Sequence, residues 1–243
     1  MPEGPSLVLL KEKLLKFRRK RVLTARGSAP IDLHRVEGAV IRDIRTWGKH
    51  LLICFDGFYV RIHLLMFGTV LFDTRKAVNL RLGLGFKGAE VNFYTCSIKL
   101  FEGHPDDDYD WERDVMNPAW NARKAGQSMK AKGDVLITDL LLDQAIFSGV
   151  GNIIKNEVLF RVRVHPLSVA GKIPAARRRL LLKDVVDFCF LFLAWRKVNQ
   201  LKQHLLVYGR KTCVRCAIPL HKSHPGTRKR ATFYCNNCQL RYR

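Results

Sequence analysis

The sequence predicts an α+β chain of several domains: an antiparallel β-sandwich opened by a helix, then a helical domain, then a small β-hairpin built on a metal. Three observations carry that prediction. Short β-type runs crowd between Gly38 and about Phe101, β character disappears after Asn117-Pro118, and four cysteines in two CxxC pairs lie near the end of the chain. The 243 residues are 47% hydrophobic and 10% aromatic, enough to bury a genuine core. The excess of 43 Lys+Arg over 21 Asp+Glu, a net charge of +22, therefore belongs to a folded body and not to a disordered basic tail. Such a charge predicts a polyanionic partner, nucleic acid first and an acidic membrane surface second.

In order along the chain, Leu7, Leu10, Leu14 and Phe17 fall at helical spacing, with lysines and arginines filling the other positions. The runs AVIRDI, LLICF, FYVRIHL, TVLF, LRLGLGF, EVNFY and SIKLF then read as strands. Asp56-Gly57 is a strong hairpin signal and Lys87-Gly88 a weaker one, while Leu80, Leu82, Leu84 and Phe86 alternate as a half-buried strand should. After the acidic segment His104 to Trp111, the pattern predicts a helix over Val135 to Phe147, a break at Ser148-Gly149-Val150-Gly151-Asn152, a helix over Ile153 to Phe160 N-capped by Asn152, and a long helix over Pro174 to about Gln200. These shifts divide the chain into 1–118, 119–200 and 201–243. Leu180 to Trp195, the most apolar stretch, is interrupted by Lys183, Asp184 and Asp187, so no segment is expected to cross a bilayer. Leu7 to Leu10 is too short a run for a signal peptide, and an odd count of seven cysteines argues against a disulfide framework. The expected compartment is reducing and cytoplasmic, nucleoid-associated in a prokaryote.

Cys213-Val214-Arg215-Cys216 and Cys235-Asn236-Asn237-Cys238 have the spacing of a four-cysteine zinc site. Four thiolates fill a tetrahedral sphere and leave no position for a water nucleophile, so one structural zinc ion is expected and catalysis must lie elsewhere. The segment between the pairs, HKSHPGTRKRATFY, is a basic aromatic hairpin suited to phosphate contact. Cys54, Cys96 and Cys189 sit in apolar runs as core residues. The two glycines at 149 and 151 let a backbone approach a ligand closely, and the start of the following helix offers N–H groups to a phosphate; alone, this is also what an ordinary turn looks like.

MPEGP at the start, WGKHLL (Trp47 to Leu52), LLDQAIFSGVGNIIKNEVLF (Leu141 to Phe160), VYGRK (Val207 to Lys211) and RATFYCNNCQ (Arg230 to Gln239) resemble the formamidopyrimidine-DNA glycosylase and endonuclease VIII family, in order along almost the whole chain. The resemblance is stronger to the endonuclease VIII branch. It implies a helix-two-turns-helix domain between the sandwich and the zinc finger, and a base-excision-repair enzyme that is both DNA glycosylase and AP lyase. After loss of Met1 the nucleophile is Pro2, with Glu3 as acid and base. Lys49 at a β-hairpin turn, and Asn152 with Arg230 on either side of a flipped nucleotide, are implied phosphate contacts, Lys49 and Arg230 being also catalytic. Gly151 and Lys155 belong to the same DNA-binding segment. Met66 and Phe67, with Leu65 beside them, are implied to fill the gap that the flipped base leaves; a core position is an equal expectation for Leu65.

One position departs from the family pattern. Ser6 stands where many members carry a second glutamate, which leaves a slower enzyme, or a damage binder without turnover, as readings beside the active one. Pro174 to Gln200 leads quickly to VYGRK and leaves little room for the longer lesion-capping loop of purine-excising members, so oxidised pyrimidines and abasic sites are expected ahead of 8-oxoguanine or formamidopyrimidine. The expected partner is damaged double-stranded DNA, with single-stranded DNA beside it, bound by a monomer. A zinc-finger regulator that reads undamaged sequence is the remaining alternative.

Overall fold

The computed structural model describes residues 2–243; Met1, whose loss is expected above, lies outside them. Contacts group the chain into two units, one ending at Asp110 and the other spanning Trp111–Arg243, so the helical and cysteine-bearing segments fall in one unit.

In the first unit α1 (Gly4–Leu14) runs into a 3-10 turn at Leu15–Phe17. Pro5 is tolerated in its first turn, where N–H groups have no intrahelical acceptor, and Leu7, Leu10, Leu14 and Phe17 are all buried. Then come β1 (Thr24–Arg26), α2 (Leu33–Val36), β2 (Asp43–Trp47), β3 (His50–Cys54), β4 (Phe58–His63), β5 (Thr69–Phe72), β6 (Leu80–Phe86), β7 (Ala89–Tyr94), β8 (Ser97–Glu102) and α3 (Pro105–Asp108). They form two antiparallel sheets, β1-β6-β7-β5 and β2-β3-β4-β8. Alternation sets the core: Leu51, Ile53, Val60 and Ile62 of one sheet and Leu82, Leu84, Phe86, Val91 and Phe93 of the other belong to one cluster with the apolar side chains of α1. This is the predicted sandwich. Its hairpins turn at Asp56-Gly57 and Lys87-Gly88, where the glycines take φ +75° and +71°. The short polar strand β1 pairs with β6, and a Cβ at Gly85 would fall 2.3 Å from Thr24 Oγ1, so a larger residue there would displace the Thr24 hydroxyl.

The second unit contains α4 (Ala122–Ala131), α5 (Ile137–Leu140), α6 (Asn152–Arg161), α7 (Ala175–Lys197), α8 (Leu201–His204) and a hairpin of β9 (His221–Ser223) and β10 (Thr232–Tyr234). Its core joins Met129, Ile137, Leu141, Phe147, Ile154, Val158, Leu181, Val185 and Phe188. Asp184 of α7 takes a forked set of hydrogen bonds from Arg161 of α6 at 2.8 to 3.1 Å. Among the described residues, no helix is long and apolar enough to cross a membrane.

The helix predicted over Val135 to Phe147 is corrected to the single short helix α5 followed by turns. Asp143 and Gln144 supply the reason. Asp143 accepts Ala145 N–H on its carboxylate, while Gln144 donates its side-chain amide to Leu142 O and Val150 O and accepts from Gly149 N–H. These bonds offer the backbone an alternative to a continuing helix. The periodicity misled because Leu140, Leu141, Leu142, Ile146, Phe147 and Val150 are buried on every side and not along one stripe.

Candidate functional site

In the first unit Glu3 is the N-cap residue of α1, in an extended conformation, and its carboxylate does not cap the helix. It is 0% exposed, and the preceding residue, Pro2, is half-buried. Burying a carboxylate is costly, and the partial positive charge of a helix N-terminus offsets part of that cost. Ser6 donates its backbone N–H to Glu3 O at 2.8 Å and is half-buried in the same turn.

α1 packs on β2 and β3. The turn of that hairpin is Gly48-Lys49: Trp47 faces His50 across it, and Gly48 takes φ +52° at the first turn position. His50 is in turn the register partner of His63, their rings 5.5 Å apart, and His50 Nδ1 lies 3.2 Å from Tyr109 Oη. Burial, then the Arg61 guanidinium and His63, drives His50 down to about 3; burial, Lys49 and Arg61 also lower His63. The cations of this patch are thus Lys49 and Arg61, set beside imidazoles biased to the neutral form.

His63 opens onto the loop Leu64 to Gly68. Gly68 N–H bonds to Leu64 O at 2.8 Å, a Cβ at Gly68 would fall 2.1 Å from that oxygen, and Leu65 takes φ +50°. A turn this tight turns its side chains outward: Leu65, Met66 and Phe67 are 48%, 49% and 76% exposed. None of the three is a core residue, which removes the core expectation for Leu65.

In the second unit Asn152 is the first residue of α6 and not its N-cap, a position taken by Gly151 in extended conformation. The reason is a longer-range bond: Asn152 Nδ2 donates to Ala231 O at 2.9 Å, which sets its side chain, 3% exposed, against the residue after Arg230. Asn152 Oδ1 is buried without a protein hydrogen-bond partner. Asn156, one turn on, donates to Asn152 O and Ala231 O and accepts Phe233 N–H at 2.7 Å. Lys155, expected at the DNA surface, is 0% exposed with its ammonium 2.7 Å from Thr232 Oγ1. It braces the hairpin from inside instead of facing a phosphate. Arg230 itself is half-buried.

Two carboxylates that the sequence reading passed over complete this arrangement. Buried Asp139 accepts Thr227 N–H at 2.8 Å, Thr227 Oγ1–H at 3.3 Å and Arg228 N–H at 3.3 Å, and Gly226 (φ +74°) leaves no room for a Cβ beside it. Glu157 accepts the N–H groups of Leu206, Val207 and Tyr208 at 2.7 to 2.9 Å. Burial raises the Glu157 carboxyl, and those three N–H groups oppose the rise. Asn156 was discoverable from its i+4 spacing to Asn152; nothing local to Asp139 marks it.

The sulfurs of Cys213, Cys216, Cys235 and Cys238 all lie within 4.8 Å of one another, with Cys213 Sγ 3.8 Å from Cys238 Sγ. A tetrahedral ion with bonds of about 2.3 Å to sulfur needs S···S edges of about 3.8 Å, so the donor set fits zinc. Against burial, the N–H groups of Arg215 and Cys216 pull the Cys213 thiol down, while burial and the neighbouring thiols push the Cys238 thiol up, so without an ion the four do not ionise together and metal binding must release protons.

Residues 113–191 match the H2TH domain of formamidopyrimidine-DNA glycosylase. Endonuclease 8-like 3 of Mus musculus is 31% identical over 216 residues, 85% of this chain and 36% of that protein. Probable endonuclease 8 2 of Streptomyces coelicolor is 28% identical over 268 residues, 98% of this chain and 94% of that protein. The chain belongs to the formamidopyrimidine-DNA glycosylase/endonuclease VIII family. It spans about two fifths of the length of the Endonuclease 8-like 3 relatives, 36% for mouse and 42% for human. The fold of this family extends over the whole chain: Lactococcus lactis formamido-pyrimidine DNA glycosylase, solved non-covalently bound to DNA containing an AP site, matches with a TM-score of 0.86 at 19% identity, covering 98% of this chain and 100% of that one. A viral DNA glycosylase matches at 0.84 and 20%, again covering 98% and 100%. In this family member α7 and α8 are separated by three residues, 198–200, and α8 passes directly to Leu205.

Proposed function

We propose that this chain is a bifunctional DNA glycosylase and AP lyase acting on oxidised bases in duplex DNA, pyrimidines ahead of purines. The observation that carries the reading is a fully buried glutamate, Glu3, next in the chain to Pro2. An α-amino group titrates near 7.7 to 8.0 against about 10.4 for a lysine, so at physiological pH a larger share of a terminal proline amine is neutral and nucleophilic. Attack of its lone pair on sugar C1′ releases the base; opening of the ring, with Glu3 protonating the sugar oxygen, leaves an iminium that a secondary amine cannot discharge by losing an N–H proton. That iminium acidifies C2′. Loss of a C2′ proton expels the 3′ phosphate, and a second elimination expels the 5′ phosphate.

Lys49, Asn152 and Arg230 bind phosphates around the extruded nucleotide in this reading, and Met66 and Phe67 fill the vacated stack with Leu65 beside them. The exposure of all three loop side chains supports that role. One zinc ion on the four cysteines is structural and supplies no chemistry to the reaction; Cys213 to Cys238 hold the hairpin that carries Arg230. The short passage from α7 to α8 supports the pyrimidine preference, because it lacks a long capping loop. The protein acts as a monomer on double-stranded DNA, and on single-stranded DNA as well, in a reducing, cytoplasmic compartment.

Borohydride trapping on a duplex with one abasic site tests this directly. Protein with Met1 removed is expected to form a covalent adduct, and protein retaining Met1 or an upstream tag is expected to form none. An adduct that persists without a free Pro2 amine overturns the nucleophile. Binding with no adduct from processed protein would instead favour the non-catalytic binder, the reading that Ser6 supports. A cleavage panel of thymine glycol, dihydrouracil, 8-oxoguanine and abasic sites decides the lesion preference.

A further inference from the structure

Within the second unit, α4 and α7 leave between them an open groove of about 790 Å³. Its walls follow helical spacing on both sides: Arg123, Gly126 and Lys130 on α4, and Arg179, Leu182 and Val186 on α7. Gly126 matters to the shape, since a Cβ there would already touch Leu182 Cδ1 at 3.4 Å. The floor is apolar, formed by Trp120, Leu182 and Val186, and five cations rim it.

The charge is one-sided. Asp187 is the single acidic lining residue and is already ion-paired to Lys183. Arg178 spends its guanidinium on Ile173 O and Gly171 O. Arg123, Lys130 and Arg179 are exposed, and among the described residues none of the three is ion-paired to an acid. A groove between two helices is the shape that a third helix fills, an apolar floor takes the anchors of an amphipathic one, and an unneutralised cationic rim selects acidic flanks. A nucleic-acid backbone would satisfy the rim and leave Leu182 and Val186 uncovered. None of the groove residues belongs to the DNA-binding set proposed above.

We propose that the α4–α7 groove docks an acidic amphipathic helix of a partner protein. The probe is a labelled synthetic helix with leucine and phenylalanine on one stripe and glutamates on its flanks, titrated against the full zinc-loaded chain by fluorescence polarisation. Saturable binding in the micromolar range is expected, with protection from hydrogen exchange over α4 and the first half of α7. The triple variant R123E/K130E/R179E should weaken it tenfold or more while abasic-site trapping stays unchanged. These side chains are exposed; if the triple variant nonetheless loses stability, K130E alone with the exchange footprint carries the test. No binding at 100-fold above the micromolar range, binding insensitive to the reversals, or protection elsewhere overturns the proposal. So does binding of an oligothymidylate, and not of the peptide, that the reversals abolish, which would make the groove a nucleic-acid track. Because trapping is scored separately, failure here is distinguishable from failure of the enzymatic reading.

Discussion

Arg230 can grip a phosphate only if its backbone is held still, and the residues that hold it are not themselves basic. Ala231 to Phe233 are fixed by Asn152, Lys155 and Asn156, and Thr227 and Arg228 by Asp139, so the stretch around Arg230 is tied on both sides. Asp139→Asn keeps the size and removes an acceptor from N–H and O–H donors that share one carboxylate. The expected outcome is a loss of about 1–3 kcal/mol of local stability, as for an unsatisfied buried donor, seen as faster hydrogen exchange over 226–230. Affinity for abasic-site DNA should drop several-fold while zinc content holds; unchanged exchange at Thr227 and Arg228 would remove Asp139 from this role. His50 gives a second prediction, on pH. Its folded value near 3 lies below the unfolded value of about 6.5, so the unfolded chain takes up the proton first. Stability from the neutral ring is therefore full above about pH 6.5 and is lost as pH falls towards 3. Urea unfolding at pH 7.5 and 4.5 should show a smaller pH effect in His50→Gln than in the wild type.

At the scale of elements, the loop from Leu64 to Gly68 is built to expose what folding would bury. Its tight turn depends on Gly68, and Leu65 accepts φ +50° to complete it. Phe67→Ala should leave the melting temperature unchanged, since the ring is mostly in solvent, and lower affinity for a lesion duplex roughly tenfold, stacking on a base being worth about 1–3 kcal/mol. A fall in melting temperature with intact affinity would make Phe67 a structural residue. The same scale explains what the sequence could disclose. Period-two alternation exposed β6, and short apolar β-type runs between turn signals exposed β3, β4 and β7, because these strands meet the core and Gly57 and Gly88 mark the turns between them. β1 was hidden: three residues, Thr-Ala-Arg, carry no alternation, and their partners on β6, Gly83 to Gly85, lie far away in the sequence. α4 was hidden by its charge, with Ala125 and Met129 its only buried residues, although Asn121, which accepts Lys124 N–H, is a legible N-cap. Around the hairpin, the cysteine spacing and the motif residues could be read locally. Asp139 and Glu157 could not, since each acts on backbone N–H groups some fifty or more positions distant.

For the molecule as a whole, under the proposed function a charge of +22 sets the approach to DNA but does not equal the number of contacts. Several cations are spent on fixed partners: Arg26 and Arg75 on Glu90, Arg35 on Glu102, Arg45 on Asp106 and Arg161 on Asp184. Lys155 is sealed inside, and Arg178 and Arg210 cap backbone carbonyls. Only cations that meet a phosphate release counterions on binding. If roughly six phosphates are neutralised, the slope of log affinity against log salt should be near −5, at about −0.9 per contact. The slope should be the same for lesion-bearing and intact duplexes apart from the contacts at Lys49 and Arg230, so Arg230→Ala should flatten it by about 1 on lesion DNA and less on intact DNA. Chelating the zinc should flatten it further, because loosening the thiolate site releases the hairpin that carries Arg230, Arg228 and Lys229 together. A slope near −10 or steeper, or one that Arg230→Ala leaves unaltered on lesion DNA, would mean that the wider basic surface binds DNA directly and that the hairpin clamp is not where affinity for damage resides.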